Sequence, residues 1–337
     1  MQTVSHPSAI LDLHFQPQPG KQDVCGVVSS TGTLTTFRLS PTPGGSDSLR
    51  KLSSLRLPEV EDDVLFTAFA WHPTITGLLA VTTSTGAVYL AQLSGVYDAL
   101  QAYENVTIMH SLEAWCVAFS PSLPLVNVDS DVGAGSFTLY SGGDDSTLRY
   151  LSCTLEDGTV ADDTSAFQAP YPAMKVSGHD AGVTAILPLA LAAADGSHIV
   201  LTGSYDDVLR VFAIKPLTET YGARQARLLT ELNLGGGVWR MKLISLNASA
   251  ALQRHGAGAW RALLLVSCMH AGARVVEIRG DATDDIKTQV LGRFEEHKSM
   301  NYGSDFQSNG EDGDLLCVST SFYDKLLCLW EFQDALP

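Results

Sequence analysis

With 337 residues, 45% of them apolar and only 17% charged, the chain has the composition of a globular protein and not of a disordered one. Its 21 Lys and Arg against 37 Asp and Glu leave a formal net charge of −16. That balance excludes a broad phosphate-binding surface and suits a basic protein partner, with no nucleic acid expected. The longest apolar run, at 181–194, contains Pro188 and is too short to span a membrane, so no membrane association is expected. The six Cys (Cys25, Cys116, Cys153, Cys268, Cys317 and Cys328) form no CxxC pair and mostly sit in Val/Leu-rich runs, which reads as reduced, buried thiols. The start, Met1-Gln-Thr-Val-Ser-His6, lacks the basic end and apolar stretch of a signal peptide. A cytoplasmic protein is expected.

Along the chain one pattern recurs: a β-rich run, a pair of small residues, a tight polar turn, then an alternating strand. It appears around Val27–Phe37, Ala80–Tyr89, Tyr140–Arg149, Leu201–Arg210, Val266–Val275 and Val318–Leu327. Aligned on the turn, the key position is Thr31, Thr85, Asp145, Asp206, His270 and Asp324, at spacings of 54, 60, 61, 64 and 54. The segments alternate with period two, which excludes a helical repeat and predicts four short strands per unit. The innermost strand of each unit is read at 9–15, 65–71, 114–119, 182–187, 238–243 and 301–306. Insertions are expected between strands at 121–135, 156–172, 216–225, 247–258 and 281–287.

Ser141-Gly-Gly-Asp-Asp145 and Thr202-Gly-Ser-Tyr-Asp206 resemble the WD40 turn between the second and third strands of a blade. Gly178-His179 resembles the Gly-His before the first strand, and Leu327-Cys-Leu-Trp330 the end of the third. The resemblance implies an all-β WD40 β-propeller, read as one domain over 1–337. Six blades are recognisable, at approximately 9–60, 61–110, 111–178, 179–234, 235–296 and 297–333. The last shows three strands. A seven-bladed parent whose first blade is missing or incomplete explains this, and a six-bladed closure by residues 1–8 is the alternative. In WD40 blades the turn Asp accepts hydrogen bonds from turn amides and from the His, which stands 27 residues earlier for both His179/Asp206 and His297/Asp324.

The fifth unit breaks this rule. Its turn position is His270, in Cys268-Met-His-Ala-Gly272, and Gly235-Gly-Gly-Val-Trp-Arg240 stands where Gly-His would. The glycines allow close approach of backbone to a ligand. The next unit continues with Tyr302 and Asp305 in its first strand, where apolar residues are the norm. Trp239, Arg240, His270, Tyr302 and Tyr323 are expected to converge on one rim of the propeller. Departures of this kind tend to mark function. The bland readings are an exposed turn His, a packing Trp and a water-binding Asp, with His297 and the three turn Asp structural.

Taken together, Gly235–Arg240, Cys268–Gly272, His297-Lys-Ser-Met-Asn-Tyr-Gly-Ser-Asp305, Ser321-Phe-Tyr-Asp324 and Ser8-Ala-Ile-Leu-Asp12 resemble a WD40 subfamily. It is the diphthine methyltransferase-like family of diphthamide biosynthesis, understood as diphthine methylesterases. The resemblance runs over nearly the whole chain. It implies a carboxylic ester hydrolase that removes the methyl ester from methylated diphthine on translation elongation factor 2, giving diphthine and methanol. An acidic face suits a trimethylammonium-bearing side chain, for which Trp239 or Tyr302 supplies a cation–π surface.

Ester hydrolysis needs a nucleophile or activated water, a base near neutral pKa and donors for the oxyanion. There is no G-x-S-x-G elbow, no HExxH and no Cys/His cluster, so neither metal nor cofactor is expected. That leaves His270 as base, oriented by Asp305, with the amides of Gly236 and Gly237, Arg240 or Tyr302 receiving the oxyanion. Tyr323 joins the substrate-binding set, and a water nucleophile is preferred to Ser267, which lies inside a strand. A non-catalytic WD40 scaffold is the competing class. A methyltransferase has no support from any strand–glycine loop–helix unit.

Overall fold

The computed structural model describes residues 3–40, 48–121, 136–155, 166–193, 195–248, 258–281, 285–308 and 314–333. All strands and sheets among them are antiparallel β, and the expected all-β β-propeller class with six blades holds. Contacts group the chain into two compact units, where the sequence reading takes 1–337 as one domain.

The first unit carries three sheets. The first sheet runs β1 (Ile10–Phe15), β2 (Val24–Ser29), β3 (Leu34–Ser40) and β4 (Ser48–Leu55). The second runs β5 (Phe66–Trp71), β6 (Leu78–Thr83), β7 (Ala87–Leu93) and β8 (Leu100–Met109). In the third, β9 (Ala114–Phe119), β10 (Phe137–Gly143) and β11 (Thr147–Leu155) are followed by β12 (Phe167–Gln168) and β13 (Met174–Val176), both paired to β11. The expected insertion at 156–172 therefore ends inside the sheet. Phe167 is fully buried, with its ring 5.1 Å from Tyr103 and 5.3 Å from Phe137, and this burial turns a nominal loop into a strand. The segment Pro216–Arg224 also belongs to this unit; the Leu217 amide donates to Ser152 Oγ at 2.8 Å.

The second unit holds the remaining three sheets. The fourth sheet is β14 (Val183–Ala192), β15 (His198–Ser204), β16 (Val208–Ile214) and β17 (Ala226–Asn233). The fifth is β18 (Arg240–Ala248), β19 (Trp260–Ser267), β20 (Ala273–Gly280) and β21 (Ile286–Phe294). The sixth has three strands, as read: β22 (Asn301–Ser308), β23 (Leu315–Ser321) and β24 (Leu327–Phe332). The centres of the expected insertions at 121–135, 247–258 and 281–287 lie outside the described residues.

Position in the sheet explains the composition of each strand. In the fifth sheet β19 and β20 are almost entirely buried, β19 as a largely apolar run and β20 with Arg274 and Glu277 buried among its apolar residues, whereas the outer β21 alternates. Leu201, Val211, Val238, Leu264, Val266 and Cys268 share one core between the fourth and fifth sheets. Leu263, Leu265, Val275, Leu315 and Cys317 form another between the fifth and sixth. Each such side chain removed from water contributes about 1.5–3 kcal/mol, so these two cores fix where the turn carrying His270 sits between its neighbours.

Candidate functional site

Three sheets keep a carboxylate at the turn between their second and third strands, and its partners define the structural norm. In the third sheet Asp145 accepts from Ser111 N at 3.1 Å, Thr147 Oγ1 at 2.6 Å and Arg149 Nη2 at 3.2 Å. His110 donates Nδ1–H to Asp145 Oδ1 at 2.9 Å and places Nε2 2.8 Å from Ser141 Oγ. Burial alone would raise the Asp145 pKa; the hydrogen bonds from Thr147 and His110 outweigh it and pull the carboxyl well below its usual range. In the fourth sheet Asp206 accepts from Asp180 N at 2.9 Å and Val208 N at 3.0 Å, with Arg210 Nη1 2.8 Å away.

The expected His–Asp hydrogen bond is present only in the first of these three cases. His179 Nε2 pairs with Thr202 Oγ1 at 2.8 Å, and His297 Nε2 pairs with Ser319 Oγ at 2.7 Å. Asp324 accepts instead from Lys298 N at 2.9 Å, from Ser299 Oγ at 3.2 Å and from Ser321 Oγ. The amide following each His, rather than its ring, reaches the carboxylate. These histidines and aspartates remain structural, held in buried or half-buried turns. In the first two sheets the weaker turns are tied locally, through Ser29 with Thr31 and Thr83 with Thr85.

The fifth sheet holds its turn without any side-chain carboxylate at that position. Cys268 N donates to Gly272 O at 2.7 Å and Ala271 N to Cys268 O at 2.8 Å. A β-carbon on Gly236 would collide with the Cys268 carbonyl oxygen and the Ala271 side chain, and one on Gly237 with Met269 Sδ. The glycines therefore let the turn pack directly on the backbone that precedes β18. Arg274, four residues after His270 as Arg210 is after Asp206, is retained and 97% buried. It donates to Ala271 O at 2.7 Å and pairs with Glu295 at 2.7 Å, so the missing carboxylate is replaced from another segment. His270 is thereby released from structural duty. It is exposed, and no hydrogen bond reaches it from the described residues. The amides of Gly236 and Gly237, both in buried residues, likewise find no acceptor among the described residues.

The far side of the same turn is held by β22. Asn301 N donates to Met269 O at 2.9 Å in an isolated bridge, and Met269 is strained to a φ of 41°. Asn301 opposes Ser321 and Gly303 opposes Thr320, so Tyr302 is the extra residue of a bulge. Bulges re-aim side chains. Here the Tyr302 ring comes to 5.1 Å from Trp239, whose other neighbours are Tyr205 at 5.8 Å and the Arg240 guanidinium at 5.1 Å from its ring centroid. Tyr302 continues to Phe322 at 6.1 Å, and Phe322 to Tyr323 at 5.1 Å. Five aromatic rings thus form a continuous row, ending in Phe322 and Tyr323, which are 66% and 71% exposed. Partial burial and the neighbouring Tyr323 raise the Tyr302 hydroxyl pKa, keeping it a neutral donor at neutral pH.

The structure thus brings Trp239, Arg240, Tyr302 and Tyr323 together and puts Gly236 and Gly237 under the turn bearing His270. Asp305 does not join them. Its carboxylate pairs with Lys242 Nζ at 2.5 Å across β18 and β22, and no hydrogen bond connects it to His270. The long Lys242 side chain from the neighbouring strand captures it first. Ser267 is 1% exposed and donates to Ser304 Oγ at 2.9 Å. Tyr205, Phe322, Asn301 and Arg274 went unread. Only Arg274 had a sequence signal, its four-residue offset from the turn shared with Arg149 and Arg210.

Among the described residues no group of three or more His, Cys, Asp or Glu is arranged to hold a metal ion, and no helix is long and apolar enough to cross a membrane. A family model described as WD domain, G-beta repeat matches residues 171–212, which include the Asp206 turn. The chain is 27% identical to diphthine methyltransferase of Schizosaccharomyces pombe, over 97% of this chain and 79% of that protein. To the Saccharomyces cerevisiae protein of the same name it is 26% identical, over 96% of this chain and 83% of the other. The human protein matches at 26% identity over 89% of this chain and 56% of its own length. Among solved structures, a chain of the mitotic checkpoint complex superposes with a TM-score of 0.56 at 12% identity, covering 98% of this chain and 77% of that one. Sqt1 from Chaetomium thermophilum gives 0.53 at 14%, covering 94% and 68%. These structural likenesses show the fold alone.

Proposed function

We propose, for a WD-repeat chain related along nearly its whole length to the diphthine methyltransferases, that it acts in diphthamide biosynthesis as a methylesterase. Its substrate is methylated diphthine on translation elongation factor 2, and its products are diphthine and methanol. The observation that carries the reading is His270. Alone among the turn residues of the four sheets 3 to 6, it has no structural partner among the described residues, and its sheet is held by other means.

In this reading the His270 imidazole takes a proton from water as the water oxygen attacks the ester carbonyl. The Gly236 and Gly237 amides receive the oxyanion, with Tyr302 as a further donor. Collapse of the tetrahedral intermediate expels the methoxy group, which takes the proton back from His270 and leaves as methanol. Trp239 and Tyr302 offer ring faces to the trimethylammonium group, in the manner that Trp239 already holds the Arg240 guanidinium at 5.1 Å from its centroid. Tyr323 extends the contact toward the protein substrate. Asp305, engaged by Lys242, has no part in orienting the base.

Hydrolysis is favoured over methyl transfer because the described residues contain no strand–glycine turn–helix unit to hold a methyl donor. The scaffold reading draws on one observation, the exposed Phe322–Tyr323 pair, which has the character of a binding anchor. Incubating the chain with methyl-esterified elongation factor separates the two. Hydrolysis predicts methanol release and loss of one methylene from the factor's mass, whereas a scaffold binds the factor and leaves it unchanged.

A further inference from the structure

Asn301 is completely buried, and every polar atom of its side chain is used. Nδ2 donates to Thr320 O at 2.8 Å and to Gly303 O at 3.1 Å, one carbonyl on each strand of the β22–β23 pair. Oδ1 accepts from Ser304 Oγ at 3.2 Å, and Ser304 Oγ in turn accepts from Ser267 Oγ of β19 at 2.9 Å. The backbone amide of the same residue donates to Met269 O, immediately before His270.

One residue therefore braces two features that arise in different sheets. Its side chain bridges the bulge from which Tyr302 reaches Trp239, since Gly303 and Thr320 are the first pair after the register shift. Its main chain pins the His270 turn, whose Met269 would otherwise relax from a positive φ.

We propose that Asn301 is a positioning residue that sets the placement of His270 relative to the Tyr302–Trp239 surface. This rests on the reading of His270 as the base. A group that touches no substrate acts by geometry, and misplacement by about 1 Å costs as much as about a hundredfold in rate. Loss of the side chain loosens the bulge that carries Tyr302 and, through the Asn301 amide at the end of that bulge, the turn that carries His270. The signature is a fall in kcat together with a rise in KM, since the base and the aromatic row both shift.

The test uses the full chain with Asn301→Ala, and Ser304→Ala as a milder variant that removes the donor to Oδ1 and the acceptor of the Ser267 hydroxyl. Two readouts are taken: kcat and KM on methyl-esterified elongation factor, and hydrogen exchange of peptides covering 268–272 and 301–303 against those of β14 to β17. For Asn301→Ala the expected result is a fall in kcat of about tenfold, a KM raised by about threefold or more, and faster exchange confined to the two braced segments. Ser304→Ala shows the same pattern at smaller amplitude. Unchanged exchange at 268–272 in both variants overturns the proposal, as does exchange that rises equally throughout the unit. If wild-type chain releases no methanol, the esterase reading fails, and the exchange pattern alone still decides whether Asn301 braces the turn.

Discussion

Gly236 lies directly against the carbonyl oxygen of Cys268, with no room for a β-carbon between them. That contact explains how one sheet dispenses with the turn carboxylate used by the third, fourth and sixth. Backbone packs on backbone, and the side chain at the turn position is left to face solvent.

Gly236→Ala should accordingly push the 268–271 turn away. A clash with backbone rather than with a flexible side-chain end costs about 1–3 kcal/mol. Chemical denaturation should show a loss in that range, and activity should fall further than the unfolded fraction explains. Gly235→Ala is a different case: nothing surrounds its missing β-carbon, but its φ of 82° makes the substitution strained in itself.

Substitution in the aromatic row should act on binding. Trp239→Ala removes the central ring, which contacts Tyr205, Tyr302 and Arg240. A KM about tenfold higher for the esterified factor is expected, equivalent to about 1.4 kcal/mol, and Trp239→Phe should recover most of it. Steady-state kinetics on the three forms checks this; equal KM values would detach the row from the substrate.

Asp305→Asn should be nearly silent. Its pair with Lys242 is about half exposed on both sides, and such pairs contribute about 0–1 kcal/mol. Rate and its pH profile should stay within about threefold of wild type, because the carboxylate orients nothing that reacts. A loss on the scale of general-base removal, measured in the same assay, would restore Asp305 to the catalytic group.

Stability should rise with pH on the acid side. Burial lowers the pKa of His72 from 6.5 to about 4. Burial, assisted by Arg210, does the same for His179, to about 4. Between about 4 and 6.5 the unfolded chain binds these protons and the folded chain does not, so the contribution is full above 6.5 and is lost as pH falls toward 4. Each imidazole adds up to about 1.4 kcal/mol per pH unit in that window. Urea midpoints at pH 4.5, 5.5 and 6.5 measure the slope, and His72→Gln should reduce it.

The blades were legible because a tight polar turn between period-two strands has few other readings; Asp145, Asp206 and Asp324 sit where the spacing puts them. Spacing fails at the level of atoms. It brings His179 near Asp206 but cannot say that Thr202, on the strand leading into that turn, offers a hydroxyl to the ring first. The anomalies at His270, Gly236, Trp239 and Tyr302 were visible because they break a local rule. Tyr205 and Phe322 were hidden because they belong to turns whose aspartates obey it, and their place in the aromatic row depends on packing against Trp239 and Tyr302 from other strands. The Lys242–Asp305 pair joins strands 63 residues apart in sequence, a distance no periodicity reports.

The most direct measurement is methanol release from methyl-esterified elongation factor 2 by wild-type chain and by His270→Ala at equal folded concentration. Because His270 is exposed and makes no hydrogen bond among the described residues, the substitution should leave the thermal midpoint unchanged while lowering release by about a hundredfold or more. Release at the wild-type rate from the His270→Ala chain would contradict the assignment of this imidazole as the base.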